Sequence, residues 1–194
     1  RRILVAFRVL RQVYPDLLLV VVPRHPERFN SVARLCRRAG VEVALRSQHR
    51  GDLPAGVGIM VGDTMGELQH LYAAADIAFV GGSLVGIGGH NLLEPCAVGV
   101  PVIFGPHMFH FEEISSMVIE CGAGSQVYDE HGLVDKVAMY LEQPALRKAA
   151  GQAARLLVAE NRGAVERTMQ LISESLRWES PERDATTSVS ALHD

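Results

Sequence analysis

The sequence predicts an α/β domain, a doubly wound parallel sheet with flanking helices. Three observations carry this. Short apolar runs alternate along the chain with segments whose apolar residues recur every three or four positions, the rhythm of parallel strands joined by crossover helices. Leu17 to Val22 is apolar at every position, whereas a strand facing water on one side would alternate, so this strand is expected to be covered on both faces. Glycine and proline cluster directly after the strand-like runs, where turns are needed.

The elements follow in order. Arg1 and Arg2 lead into a short mixed helical pattern, and Leu17–Val22 is the first strand. Val32, Leu35, Cys36 and Ala39 repeat at helical spacing and end at Gly40, a residue suited to the C-terminal cap. Val41–Leu45 and Val57–Val61 are the next strands, separated by a loop holding Gly51, Pro54 and Gly56. Leu68, Leu71, Tyr72 and Ala75 mark a helix, and Ile77–Val80 a fourth strand. Asn91–Val98 is a short helix, Val100–Phe104 a strand, Phe111–Cys121 a helix and Ser125–Tyr128 a strand. Helices follow at Leu133–Leu141, from Pro144 through Leu146–Ala159, and at Val165, Met169, Ile172 and Leu176. Residues 1–178 are therefore expected to be the folded domain, and 179–194, which are polar and contain Pro181, a disordered tail.

Composition excludes several classes. The chain has 194 residues, 48% of them hydrophobic and 21% charged, ordinary values for a globular protein rather than a disordered one. The longest apolar run is strand-sized, well short of the ~18–20 residues of a membrane-spanning helix. There is no signal-peptide pattern at the start, and no initiator Met, so a fragment with an absent upstream part is expected. Cys36, Cys96 and Cys121 are widely spaced in apolar surroundings and are expected to be reduced core thiols of a cytosolic protein. The net charge of −3 conceals an asymmetry, because residues 1–50 hold 11 Arg against 3 acids. That excess marks either contact with anions or the solvated faces of two helices. Nucleic acid is not an expected partner, since the basic stretch lacks interleaved aromatics and the whole chain is acidic.

In such a fold the loops after the first, third, fourth and fifth strands emerge together at the carboxyl edge of the sheet, where open α/β sheets bind ligands. Gly81–Asn91 holds five glycines directly before a helix, which suits close approach of a phosphate or carboxylate to backbone N–H groups. It does not match GxGxxG. The only lysines, Lys136 and Lys148, lie far from any glycine loop, which excludes a Walker P-loop. HExxH and GxSxG are absent, and His107 and His110 lack a third ligand at a recognisable spacing. Pro23 and Pro26 stiffen a loop that presents Arg24, whose guanidinium suits an anion. In Gly62–Glu67, Asp63 or Thr64 is a candidate helix cap, and Glu67 either closes a capping box with Thr64 or contacts a ligand. Glu94 sits in the first turn of the short helix, where it either answers the helix dipole or accepts from paired sugar hydroxyls.

Three linked blocks resemble a known family. Gly62-Asp-Thr-Met-Gly-Glu67, Asp76–Val85 and Gly88-Gly-His-Asn-Leu-Leu-Glu-Pro95, with Pro23–Phe29 and Gly105-Pro-His107, are similar to the carboxyl-terminal domain of the 3-deoxy-D-manno-octulosonic acid (Kdo) transferases. The resemblance runs from about the first helix to the last. It implies a Rossmann-like half of a GT-B glycosyltransferase that moves Kdo from CMP-Kdo to lipid A precursor in lipopolysaccharide synthesis, with inversion and without a metal or other cofactor. Carried over by position, the donor contacts would be Pro23 and Arg24; Met65, Gly66 and Glu67; and Asn91, Leu92, Leu93 and Glu94. The catalytic base, acceptor site and membrane anchor are expected in an amino-terminal domain outside this chain. The full-length protein would then sit at the cytoplasmic face of the bacterial inner membrane, and this chain alone would be soluble and inactive. The pattern departs at Gly86-Ile87, where the family has a proline-containing pair, which implies a looser loop. Two other readings stand beside this one: another GT-B enzyme, a UDP-sugar transferase or epimerase, and a non-catalytic nucleotide-binding module.

Overall fold

A computed structural model describes residues 1–49 and 51–161. The predicted helix at 165–176, the tail at 179–194 and the domain limit at 178 lie outside these residues. Strand and helix alternate as the sequence predicts: α1 (Arg2–Val13), β1 (Leu19–Val21), α2 (Phe29–Arg37), β2 (Glu42–Leu45), β3 (Val57–Val61), α3 (Leu68–Ala73), β4 (Ala78–Val80), α4 (Leu93–Ala97), β5 (Val102–Phe104), α5 (Glu112–Glu120), β6 (Gly124–Gln126), α6 (Glu130–Glu142) and α7 (Pro144–Asn161). Single 3-10 turns precede α2 and follow β2. All strand pairs are parallel, so the loops that follow the strands share one edge.

The backbone hydrogen bonds form two three-stranded ladders, in the orders β1-β3-β2 and β4-β5-β6. This order corrects one expectation. β1 lies at the edge of its ladder and is only half-buried at all three positions, so its continuous apolar character does not make it a doubly covered strand. Full coverage belongs to β5, at the centre of the other ladder, where Val102, Ile103 and Phe104 are completely buried.

Each ladder has its own apolar packing. Ile59 and Val61 of β3 meet Phe7, Ala33 and Cys36. Val80, Val102 and Phe104 meet Leu92, Cys96, Val118, Ala154 and Leu157 on one side, while Ile103 meets Ala6, Val127, Leu133 and Tyr140 on the other. α1 thus places adjacent residues, Ala6 and Phe7, in two different clusters.

Cys36 and Cys96 are buried as expected, and burial pushes the Cys96 thiol up to about 12. Cys121 is exposed, a correction that follows from its place just past the C-terminal end of α5. Among the described residues no helix is long and apolar enough to cross a membrane.

Candidate functional site

The carboxyl edge is knitted together by contacts between loops that are distant in sequence. Arg24, just past β1, donates from Nη1 to His90 Nδ1 at 3.0 Å. A guanidinium has only donors, so Nδ1 must accept and the imidazole is neutral with its proton on Nε2. Burial lowers the His90 pKa, and the charges of Arg24 and His25 lower it further against the opposing pull of Glu94. Glu94 also lies close enough to Tyr72 of α3 to help burial raise that phenol to about 12. Asn91 Oδ1 accepts from the Leu93 N–H at 3.0 Å, and Asn91 Nδ2 reaches Glu94 Oε1 at 3.5 Å. The structure therefore gathers Arg24, His90, Asn91 and Glu94, three of which the sequence marks as site residues.

The glycine-rich loop is held by close packing. A Cβ on Gly88 would fall 2.9 Å from His110 Cδ2, and one on Gly89 would fall 2.2 Å from Met108 Sδ. Both glycines also have positive φ, a conformation that other residues adopt with strain. Ser83 fastens the base of the loop. Fully buried, it donates from Oγ to the Val80 carbonyl at 2.5 Å and accepts from the Gly105 N–H at 2.8 Å. Its role is to join the ends of β4 and β5. Leu92 is completely buried as part of the core, while Leu93 and Glu94 are half-buried.

The Gly62–Glu67 block does not form the capping box that is one of its two readings. α3 starts at Leu68 with Glu67 at the cap position and no side-chain cap bond. The Thr64 hydroxyl donates instead to Glu67 Oε2, because a helix that begins one residue beyond Glu67 leaves Thr64 too early to cap it. Glu67 Oε1 accepts from Arg46 Nη2 at 2.9 Å. Asp63 accepts from the Ser47 backbone N–H at 2.8 Å and from its hydroxyl at 2.6 Å. Met65 is 67% exposed, Gly66 is exposed, and Pro23 is half-buried. Arg46, Ser47 and His90 are additions that motif reading did not mark as functional.

Two concavities lie away from these residues. One of about 310 Å³ is lined by Pro106, Met108, Glu112, Ser115, Ser116, Ile119 and Gln126, and the other sits between α1 and α6. Among the described residues no group of three or more His, Cys, Asp or Glu is arranged to hold a metal ion.

A parallel sheet with polar groups gathered at its carboxyl edge defines a ligand-binding domain of the open α/β class. The family profile described as "Glycosyl transferases group 1" matches residues 2–157, and the chain belongs to that family. More particularly, it is similar to 3-deoxy-D-manno-octulosonic acid transferase of Bordetella pertussis, with 39% identity over 88% of this chain and 40% of the relative. It is 43% identical to the Haemophilus influenzae enzyme of the same name, over 90% of this chain and 41% of the relative. The chain thus spans about 40% of the length of these relatives. Among solved structures it resembles the carboxyl-terminal CMP-Kdo binding domain of WaaA from Acinetobacter baumannii, with 34% identity, a TM-score of 0.75, and 81% of each chain covered. The resemblance drawn from the sequence blocks and the GT-B half-fold it implies are both borne out.

Proposed function

We propose that this chain is the donor-binding half of an inverting glycosyltransferase that transfers Kdo from CMP-Kdo to lipid A precursor in lipopolysaccharide biosynthesis. The observation that carries the reading is the similarity, over 81% of both chains, to a domain described as binding CMP-Kdo. It is supported by the meeting of Arg24, His90, Asn91 and Glu94 at the carboxyl edge. Arg24 presents a guanidinium for the donor's phosphate or carboxylate. Asn91, Leu92 and Leu93, where α4 begins, form the phosphate side of the donor site, and Glu94 accepts from ribose hydroxyls. Pro23, Met65 and Gly66 complete the donor contacts, and Glu67 closes the turn that carries Met65 and Gly66. The rest of the protein would supply the catalytic base, the acceptor site and attachment to the cytoplasmic face of the inner membrane. The chain alone binds donor and transfers nothing.

Ligand-observed NMR with CMP and UMP tests this. Saturation transfer to CMP in preference to UMP, lost in Arg24→Ala and Glu94→Ala, is the expected result. Preference for UMP would move the assignment to another GT-B enzyme. Retention of CMP binding in both variants would overturn the site.

A further inference from the structure

We propose that Arg46 and Ser47 are positioning residues for the donor, clamping the turn after β3 at both of its ends so that Met65 and Gly66 are held in one conformation toward the nucleotide. The inference rests on the donor-binding reading above and deepens it.

The clamp follows from strand register. Leu45, the last residue of β2, is paired with Val61, the last residue of β3, so the residues that leave the two strands run side by side. Ser47 takes both oxygens of Asp63 at the start of the turn. Arg46 takes one oxygen of Glu67 at its end, and Thr64, within the turn, takes the other. Arg46 is itself fixed, because its second terminal nitrogen donates to the His49 carbonyl. Glu67 thus has both carboxylate oxygens engaged by its own chain, and its part in the site is to hold the turn. What the turn leaves outward is Met65 and Gly66. Gly66 has φ +82° and nothing within 4 Å of where a Cβ would lie, so it has open space and no packing to define its conformation. The clamp supplies that definition. A loop ordered before the ligand arrives spares the ordering cost at binding.

The test uses the whole chain, ¹⁵N-labelled, with two readouts: backbone order parameters at Met65 and Gly66 without ligand, and the Kd for CMP. Arg46→Ala, Glu67→Gln and Ser47→Ala should lower the order parameters from the rigid range of about 0.85 toward 0.6. CMP binding should weaken roughly tenfold in Arg46→Ala, with partial recovery in Arg46→Lys. The double variant Arg46→Ala/Glu67→Gln should be no weaker than its worse single, since Arg46 acts through Glu67. Core amides such as Phe104 report that each variant is folded. Unchanged order parameters overturn the clamp. Lowered order parameters with unchanged Kd, or effects that multiply in the double variant, overturn the positioning role. If the unaltered chain fails to bind CMP, the donor reading falls, and the order parameters alone then decide whether the clamp exists as a structural device.

Discussion

The central strand of one ladder and the edge strand of the other are buried to different depths, and the loops on the two sides are secured by different means. β5 is buried at every position, whereas β1 is half-buried throughout. The loops after β4 and β5 are fixed by a buried hydroxyl and by glycines packed against His110 and Met108. The turn after β3 is fixed by ionic and hydroxyl contacts at half-exposed positions, with Arg46 at 28% and Glu67 at 33% side-chain exposure. One side of the cleft is therefore held by packing, on which salt and pH act little beyond the Arg24–His90 contact. The other is held by charge, which both can weaken.

The comparison can be broken most directly in the strands. Phe104→Ala should lower unfolding free energy by about 3–5 kcal/mol through cavity formation, while Val20→Ala on edge strand β1 should cost only about 1 kcal/mol; urea melts of both variants measure the contrast. Equal losses would refute the difference in depth. Next in size, Ser83→Ala leaves the buried Gly105 N–H without its acceptor and should cost about 1–3 kcal/mol, read in the same melts.

A smaller effect concerns pH at the junction of the two ladders. His90 has a folded pKa below its unfolded value, so the unfolded chain binds the extra proton first. Its contribution to stability is complete above about pH 6.5 and is lost as pH falls below that value toward the lowered pKa. Thermal midpoints at pH 7 and below should drop more in the unaltered chain than in His90→Gln. The smallest effect is expected at Tyr14, whose hydroxyl donates to Glu142 at an exposed position at 2.7 Å. Tyr14→Phe should leave the midpoint unchanged, and a clear loss would mean that exposed polar contacts matter more here than their exposure implies.

The strands, the helices and the shared edge were legible because apolar periodicity and glycine placement are local properties of the chain. Leu17–Val22 misled because an apolar run reports what could be covered, whereas coverage depends on strand order; the β1-β3-β2 order leaves β1 at an edge. The Arg24–Asn91–Glu94 part of the site was visible as motifs. Arg46 was not, since its partner Glu67 lies 21 residues on and the two meet only through the β2–β3 register. Nor was Ser83, whose partner Gly105 lies 22 residues on and meets it only where β4 and β5 end side by side.

The packing of α1 against α6 sets a schedule for folding on the ribosome. About 120 residues must be translated after α1 before α6 exists, a wait of roughly 6–25 s at ~5–20 residues per second. Through that interval the cluster that receives Ala6 is incomplete, since Leu133 and Tyr140 are still unmade. Phe7 can already dock on β3. The first helix is thus tethered early by one residue and completed late by its neighbour, and a nascent chain halted before α6 should be a substrate for chaperones that bind exposed apolar helices.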